Sequence, residues 1–585
     1  MHKDFFRVAA LSVEARPGYP AENVKQILDA LRRTEGAGLV VFPELTLTGD
    51  CGSLLLRDDL LDAAEDALAS LLPSLTAPLT AVGLPVRIQD GVYSCAAIAG
   101  EGKLLGVVPG SRPARFLRGG ANQSGAVTLC GQTVMCGTDL LFDGGGLCAA
   151  FVLGGDPLYA PCPDGAYIRH GANVLGHLGT AWEKRRLRDT LAVQSARLRC
   201  AYVSAGSSES FAAENGVMLA KGTDAVTEFD IGLLRFERRG QAESHSDQAF
   251  FRVPFTRPGP PPSLLRTYSR DPFAAEGDDA LADQCRALFG ALVKALRTRL
   301  ERLPDPGAAV AVSGGLDSAL ALLVAVNAAA PIGRTVLAVT MPGPGSSERT
   351  RNNAKALCGA LGVPLGTVPI TDAVAAHLAA IGHDGSPDSV YENAQARERA
   401  RTIFDMANAA GCIVVGPSDL TEAALGFTTF AGDSMSMLGV NAGLPKTMIR
   451  HIAAYFASLE DHPAKNALRD ILDTPVSPEL LPLDAFGEQR QKSEELLGDY
   501  ILHDFFLYWF LRHGYSREKL LIAAKRAFAG RYGGEVLETA LETFLTRFVR
   551  SQYKRSAAPE GVTLGEVSLD VCDWSMPGDM DQWPG

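Results

Sequence analysis

Residues 308–323 read AAVAVSGGLDSALALL, a short apolar strand followed by a glycine turn and an apolar helix. In the turn, from Ser313 to Ser318, backbone amides and the positive end of the helix dipole converge where an anion can rest. The turn lacks the lysine of the G-x-x-x-x-G-K-[ST] loop, but Asp317 and the two serine hydroxyls offer oxygen to magnesium and hydrogen bonds to phosphate. The stretch therefore predicts a site for pyrophosphate or the phosphates of ATP. The alternative is a strand-to-helix turn of small residues that binds nothing.

The segments around this turn alternate between strand and helix patterns. A repeating βα order is typical of a parallel sheet that is covered by helices. We therefore predict an α/β domain, with helices over 280–303, 318–328 and 350–361 and strands over 308–312, 335–340 and 413–415.

A proline-rich segment at 256–263 separates this domain from the first part of the chain. Its four prolines remove amide donors and fix φ, so neither a helix nor a central strand continues through it. Upstream, short apolar runs near 38–42, 80–83, 147–153 and 201–204 alternate with helical stretches near 21–33 and 185–199. We predict an α/β domain over 1–255, a linker over 256–263 and a second domain over 264–585.

Composition and charge exclude several classes of protein. With 585 residues, 46% of them hydrophobic, the chain is long enough for two or more domains with buried cores. A net charge of −12 disfavours the basic surface that follows nucleic acid. The 11 cysteines include no C-x-x-C pair, which argues against a zinc ribbon and a disulfide framework, and the sequence lacks an apolar run that is typical of a membrane span. We expect a cytoplasmic protein with neither nucleic-acid nor membrane partners.

The second half of the chain resembles the pyrophosphatase-type ATP-binding synthetases and, among these, the NAD synthetases. Its motifs follow the family's order at 340–350, 391–399, 416–422, 425–433 and 440–446, and those at 472–480, 503–505 and 553–556 resemble the long, two-domain bacterial enzymes. The resemblance implies a parallel-sheet domain of the adenine nucleotide alpha hydrolase-like type. It also implies ATP-dependent amidation of nicotinic acid adenine dinucleotide (deamido-NAD), through an acyl adenylate, to NAD, AMP and pyrophosphate.

The resemblance implies roles for individual residues. Asp317 and Glu422 would bind Mg²⁺, and Lys446 and Lys554 would neutralise charge on the phosphates or the transition state. Judged without the resemblance, Glu422 also fits an acid that the dipole favours at a helix N-terminus, and the lysines fit ordinary exposed lysines. The residues implied in nucleotide binding are Ser313, Gly314, Gly315, Leu316, Ser318, Asn393, Arg397, Phe427 and Asp433, with Arg399 as a further candidate; the arginines also fit a solvated helix face.

Two positions depart from the family pattern. Pro417 stands where the family usually has threonine, which removes a hydroxyl that is often credited with contacting ATP, and Phe427 replaces a common tryptophan. We expect neither change to abolish the chemistry, because Phe427 still offers a ring for stacking and the lost hydrogen bond is worth about 0.5–1.5 kcal/mol.

Residues 1–255 resemble the nitrilase-type glutaminase domain of long NAD synthetases, which implies an α-β-β-α sandwich. In nitrilase chemistry a glutamate base and a lysine assist a cysteine thiolate. The matching segment at 42–52 carries the base, Glu44, but Gly110 stands where the family has its lysine and Leu153 where it has its nucleophile. The nearest replacement, Cys162, lies between prolines, which is untypical of a nucleophile at a strand end. We therefore predict a domain that does not hydrolyse glutamine and serves folding, assembly or docking.

The expected partners are ATP, Mg²⁺, deamido-NAD and ammonia, with a separate glutaminase as a possible source of ammonia and a homo-oligomer as the expected assembly. Two readings stay open: a fully glutamine-dependent synthetase with a relocated nucleophile, and another amidotransferase with the same phosphate loop. A pure amidase and a non-enzymatic scaffold are disfavoured, because the first half has lost its lysine and cysteine whereas the second half keeps its phosphate and metal groups.

Overall fold

The computed structural model describes residues 2–34, 36–112, 116–120, 125–154, 163–179, 184–240, 249–304, 306–474 and 497–583, with residues 184 and 185 as backbone only. The chain divides into two compact units, Met1–Thr267 and Tyr268–Gly585. The division falls just beyond the proline-rich segment at 256–263. Within the described ranges, no helix combines the length and the apolar character that crossing a membrane requires.

The first unit contains two β-sheets. One has eight strands in the order β14-β1-β2-β3-β4-β5-β7-β6, and the other has seven in the order β13-β12-β11-β10-β9-β8-β15. The strands are β1 Phe5–Leu11, β2 Leu39–Val41, β3 Leu79–Ile88, β4 Gly91–Gly100, β5 Lys103–Pro109, β6 Gly125–Leu129, β7 Gln132–Cys136, β8 Leu140–Asp143, β9 Cys148–Leu153, β10 Val174–Leu178, β11 Ala201–Ala205, β12 Ser210–Glu214, β13 Val217–Gly222, β14 Asp224–Asp230 and β15 Phe251–Pro254.

The two sheets lie face to face and carry helices on their outer faces. Gly176 on β10 has no side chain, and a Cβ there would lie 3.4 Å from Val41 on β2. On the outer side of the first sheet, Ile27 and Leu68 from two helices share a core with Val82 of β3. This is the α-β-β-α sandwich that the resemblance implied. The helices are α1 Pro20–Leu31, α2 Asp58–Leu71, α3 Asp164–Arg169, α4 Lys184–Leu198 and α5 Ile231–Arg238.

The second unit is built on a five-stranded parallel sheet in the order β18-β17-β16-β19-β20. Alternate residues of β16 enter cores on opposite faces of the sheet, Ala308 and Val310 on one side and Ala309 on the other. Helices therefore cover both faces, as they must when a parallel sheet is buried. The strands are β16 Gly307–Ala311, β17 Val336–Thr340, β18 Leu365–Thr367, β19 Cys412–Gly416 and β20 Leu438–Gly439.

Twelve helices surround this sheet in the described ranges. They are α6 Asp278–Arg302, α7 Leu316–Ala329, α8 Glu348–Ala360, α9 Thr371–Ala380, α10 Ser389–Ala410, α11 Leu420–Leu425, α12 Lys446–Ser458, α13 Lys465–Leu472, α14 Tyr500–His513, α15 Arg517–Ala527, α16 Gly534–Arg550 and α17 Gln552–Arg555. The six predicted elements of this half are confirmed with ends that differ by at most two residues. One difference matters for the site: α7 begins at Leu316, so Asp317 lies in its first turn, where the helix dipole favours an acid.

Candidate active site

The predicted phosphate loop connects the carboxyl end of β16 to the first turn of α7. Its two serines are bonded to each other, with 2.9 Å between Ser313 Oγ and Ser318 Oγ, and Ser318 Oγ donates to the carbonyl of Gly315 at 3.0 Å. Gly314 has a φ of +86°, and a Cβ there would lie 1.9 Å from the backbone oxygen of Thr350. The loop therefore rests directly on the backbone of α8, and only glycine fits at this position.

Three carboxylates from neighbouring segments surround the ammonium group of Lys446. The Nζ atom lies 2.8 Å from Asp317 Oδ2, 2.7 Å from Asp419 Oδ2 and 3.0 Å from Glu422 Oε1. Lys446 and Asp419 are buried, whereas Asp317 and Glu422 are partly exposed. The structure thus brings together Asp317, Glu422 and Lys446, three residues that the sequence predicted to act in one site.

Local capping interactions fix the orientation of two of these acids. Asp419 is the N-cap of α11: its Oδ1 accepts from the amide of Glu422 at 2.7 Å, and the Glu422 carboxylate accepts from the Asp419 amide at 3.4 Å. This reciprocal arrangement is a capping box. Asn441 Nδ2 donates to the carbonyls of Asp317 and Pro417 at 3.0 and 2.9 Å, which ties the first turn of α7 to the segment that precedes α11.

Burial and mutual repulsion shift the protonation of the acidic cluster. Burial, together with the charges of Asp317 and Asp433, raises the pKa of Glu422 to about 7, although Lys446 acts in the opposite direction. Burial lowers the pKa of Lys446, but the charges of Asp317, Asp419 and Glu422 outweigh it and hold this pKa well above its usual value. Lys446 is therefore charged throughout the neutral range.

A buried aspartate fixes the backbone beneath the cluster. Asp504 on α14 accepts a hydrogen bond from Thr421 Oγ1, and its Oδ2 accepts from the amide of Thr447 at 2.9 Å. Thr421 Oγ1 in turn accepts from the amide of Lys446 at 2.9 Å. Asp504 therefore joins α11 to the first turn of α12, the two helices that carry Glu422 and Lys446.

A cavity of about 650 Å³ opens beside the loop and the cluster. It has room for a nucleotide, since ligand pockets usually measure several hundred Å³. Most of the residues that the sequence predicted in nucleotide or metal binding line this cavity: Ser313, Gly315, Leu316, Asp317, Ser318, Asn393, Arg399, Glu422, Phe427, Asp433 and Lys554. Gly314, Arg397 and Lys446 are not among the lining residues.

Helix α10 presents Arg399 to this cavity rather than Arg397. Ala396 lines the cavity, and Arg399, three residues later, lies on the same helix face, with its Nε donating to the carbonyl of Met341 at 3.2 Å. Arg397 is rotated by about 100° from Ala396, and its Nε donates to the carbonyl of Phe430 at 3.3 Å in an exposed position. The structure therefore favours Arg399, which the sequence analysis named as a further candidate, over Arg397 as the arginine that faces the cavity.

Lys554 and Asp433 lie on another part of the cavity wall. Lys554 Nζ donates to the carbonyls of Gly426 and Thr428 at 2.8 and 2.6 Å, and burial lowers its pKa. Asp433 Oδ1 accepts from the amide of Thr429 at 2.7 Å, and burial raises the pKa of this acid. Lys554 thus shapes the loop that carries Phe427 and presents its charge to the same cavity.

The acidic cluster has the chemistry of a divalent-cation site. One oxygen each of Asp317, Asp419 and Glu422 lies within 4.8 Å of the others, and Asp317 Oδ1 is buried with no hydrogen-bond partner among the described residues. Mg²⁺ prefers carboxylate oxygens and binds through few protein ligands together with substrate phosphates. The cluster therefore fits Mg²⁺, and Asp419, which the sequence did not predict as a ligand, joins Asp317 and Glu422.

In the first unit, the three positions that the sequence analysis compared with glutaminase residues lie close together. Glu44 Oε1 accepts a hydrogen bond from Ser94 Oγ at 2.5 Å, and a Cβ at Gly154 would lie 2.8 Å from Glu44 Oε2. Leu153 ends β9, and its Cβ would lie 3.8 Å from a Cβ at Gly110. Leu153 and Gly110, the positions that the sequence analysis assigned to the nucleophile and the lysine, thus lie next to each other.

The described cysteines offer no evident replacement for the nucleophile. Cys95 follows Ser94 on β4, and its side chain is fully buried in the helix-covered core. Burial raises the pKa of this thiol well above its usual value, which keeps it in the unreactive neutral form. Cys162 lies outside the described residues.

Comparison with known proteins extends over both units. A family model described as NAD synthase matches residues 288–524. A glutamine-dependent NAD(+) synthetase from Mycobacterium tuberculosis is 35% identical over 656 residues, which cover 98% of this chain and 96% of that protein. One from Mycobacterium leprae is 33% identical over 662 residues (98% and 96%), and one from Xanthomonas campestris is 26% identical over 573 residues (95% and 94%).

Proposed function

Because this chain belongs to the family of glutamine-dependent NAD(+) synthetases, we propose that it forms NAD by ATP-dependent amidation of deamido-NAD, with ammonia as the nitrogen source. One observation carries the synthetic part of the proposal: Asp317, Asp419, Glu422 and Lys446 form a single charged cluster at a cavity that the phosphate loop also lines. Such a cluster suits chemistry in which two anionic reactants must be brought together.

The reaction has two covalent steps. In the first, a carboxylate oxygen of deamido-NAD attacks the α-phosphorus of ATP, the bond to the β-phosphate breaks, and pyrophosphate leaves with the electron pair. In the second, ammonia attacks the acyl carbon of the adenylate, AMP leaves, and the nitrogen loses its extra proton to give the amide. Both steps gather negative charge, which preorganised cations and amide groups stabilise.

The residues of the second unit have corresponding roles. The loop from Ser313 to Ser318 would hold the departing pyrophosphate with its amides, and Lys446 and Lys554 would neutralise phosphate oxygens. Asp317, Asp419 and Glu422 would hold Mg²⁺, which when bound neutralises charge on the polyphosphate. Asn393, Arg399, Phe427 and Asp433 would bind the nucleotide parts of the substrates, with Phe427 offering an aromatic face for stacking.

The first unit supports ammonia as the nitrogen source. Leu153 cannot form a thioester, and Gly110 offers no side-chain charge to an oxyanion, so in this proposal Glu44 has no nucleophile to activate among the described residues. Glu44 instead accepts a hydrogen bond from Ser94, which gives it a structural role. In this proposal ammonia reaches the second unit from solution or from a separate glutaminase.

A comparison of nitrogen donors tests this function. Purified protein with ATP, Mg²⁺ and deamido-NAD should produce NAD, AMP and pyrophosphate in equal amounts when ammonium is supplied. Glutamine, freed of contaminating ammonium, should support a rate that is lower by about 10³-fold or more, because loss of a nucleophile costs at least that much in comparable enzymes.

Cys162→Ala separates the proposal from its alternative, a relocated nucleophile. The substitution should leave the ammonium-driven rate unchanged and should not affect a glutamine-driven rate that is already at background. A glutamine-driven rate close to the ammonium-driven one, abolished by Cys162→Ala, would contradict ammonia dependence. Absence of NAD with either donor would contradict the synthetase assignment itself.

A further inference from the structure

The ammonium group of Lys446 stands at the centre of the three carboxylates. Its Nζ lies 2.7–3.0 Å from one oxygen of Asp317, Asp419 and Glu422, and these oxygens lie within 4.8 Å of one another. An ion that these oxygens share would be about 2.1 Å from each, if it were Mg²⁺. Such an ion would need nearly the same place as Nζ, so the two cations exclude each other.

We propose that Lys446 is the resident cation of this site in the nucleotide-free protein, and that a divalent cation enters only when the Lys446 side chain leaves. The lysine then has two positions: one among the carboxylates, where it neutralises their charge, and one in the cavity, where phosphate oxygens would receive its charge. The inference rests on the geometry of the cluster alone, and its failure would leave the proposed function intact.

The surroundings of Lys446 restrict this movement to the side chain. The residue opens α12, and its amide donates to Thr421 Oγ1 at 2.9 Å, while the next amide is held by Asp504. The backbone is therefore anchored at both residues. The ring of Tyr500, which lines the cavity, has its centroid 5.7 Å from Nζ, so an aromatic face is available to the ammonium on its way out.

Charge explains why the exchange would be coupled to ATP. A divalent cation alone must displace an ammonium that already makes three short contacts with carboxylates, and the displaced ammonium then has no phosphate to pair with. When ATP is present, the phosphates supply further oxygens to the metal and a new partner for the displaced lysine. Lys446 thus disfavours metal binding without nucleotide, and metal and nucleotide are expected to bind together.

Titration of Mn²⁺ into the protein without nucleotide, followed by electron paramagnetic resonance, tests the exchange. The variant Lys446→Met keeps the length and the apolar stem of the side chain but removes the cation. We expect this variant to bind Mn²⁺ at least about tenfold more tightly than the wild type, since a like charge close to a buried cation is strongly unfavourable. Mg²⁺ should also raise the melting temperature of the variant more than that of the wild type.

Two further variants control the experiment. Lys554→Met removes a lysine that lines the cavity and whose Nζ donates to the carbonyls of Gly426 and Thr428, and the Mn²⁺ affinity of this variant should equal that of the wild type. Lys446→Gln, which keeps a polar end group, replaces Lys446→Met if the latter does not fold. Equal Mn²⁺ affinity in the wild type and the folded Lys446 variant would overturn the proposal, and so would the absence of Mn²⁺ binding by that variant.

Discussion

Replacement of Asp317 by asparagine is expected to reduce kcat/KM for ATP by about 10²–10³-fold while the protein stays folded. Asparagine has nearly the shape of aspartate but no charge, so the cluster loses the acid that the phosphate loop itself carries. The carboxylate of Asp317 lies 2.8 Å from Lys446 Nζ, and its second oxygen is buried without a hydrogen-bond partner among the described residues. Both features indicate a group that is placed for a cation rather than for the fold.

Asp372→Asn is the matched control for this substitution. Asp372 also lies in the first turn of a helix, α9, but it is exposed and away from the cavity. Both variants lose one favourable interaction with a helix dipole, worth about 0.3–1 kcal/mol. A difference in activity between the two variants therefore does not come from that loss of stability. If Asp317→Asn kept activity within about twofold of Asp372→Asn, Asp317 would have no place in the mechanism.

Gly314→Ala is expected to abolish nucleotide binding or to destabilise the second unit by several kcal/mol. The added methyl group would lie 1.9 Å from the backbone oxygen of Thr350, and the φ of +86° is unfavourable for alanine in itself. Because the obstacle is backbone of α8 rather than a flexible side chain, the whole loop would have to move. Chemical denaturation and ATP-analogue binding would measure the two effects.

The neighbouring glycine provides the control for Gly314→Ala. Gly315 has a φ of −89°, and among the described residues a Cβ there would meet the Ser313 hydroxyl alone, at 3.3 Å. Gly315→Ala should therefore cost about 1 kcal/mol or less, which is the usual loss for alanine at a helix N-cap. Equal behaviour of the two variants would show that the loop does not depend on the close approach to Thr350.

The parallel sheet and its phosphate loop could be predicted from the sequence because they depend on patterns within short stretches of the chain. The strand before Ser313 and the helix after Ser318 follow from hydrophobic pattern and glycine placement, and the carboxyl edge of such a sheet is where ligands bind. Glu422 could be placed beside Asp317 by the same argument, since it follows β19, the neighbour of β16. The motifs then supplied the remaining candidates by resemblance.

Residues whose role depends on tertiary contact were harder to assign. Asp419 shows the spacing of a capping box with Glu422, but only the structure brings Lys446 to it across 27 residues of sequence. Asp504 is the one acid in a largely apolar helix, which indicates a buried polar partner but does not identify Thr421 or Thr447. The choice between Arg397 and Arg399 required the structure, because it depends on which face of α10 is turned towards the cavity.

In the first unit, the sequence indicated which positions to compare with the glutaminase residues but not the contacts that these positions make. The positions of Gly110 and Leu153 could be identified from the motifs around them, and the structure brings these two positions next to each other. The hydrogen bond from Ser94 to Glu44 had no sequence signal, because it joins two residues that are 50 positions apart in the sequence. The Glu44 carboxylate therefore has a hydrogen-bond partner within the first unit.

The central claim is that ATP and a divalent cation meet at Asp317, Asp419, Glu422 and the loop from Ser313 to Ser318. A crystal structure of the protein with Mn²⁺ and a non-hydrolysable ATP analogue, with anomalous scattering to locate the metal, tests it most directly. The account predicts an anomalous peak among the three carboxylates, polyphosphate against the loop, and Lys446 Nζ withdrawn to a phosphate oxygen. Analogue bound elsewhere, with Lys446 still within 3.0 Å of all three carboxylates, would contradict it.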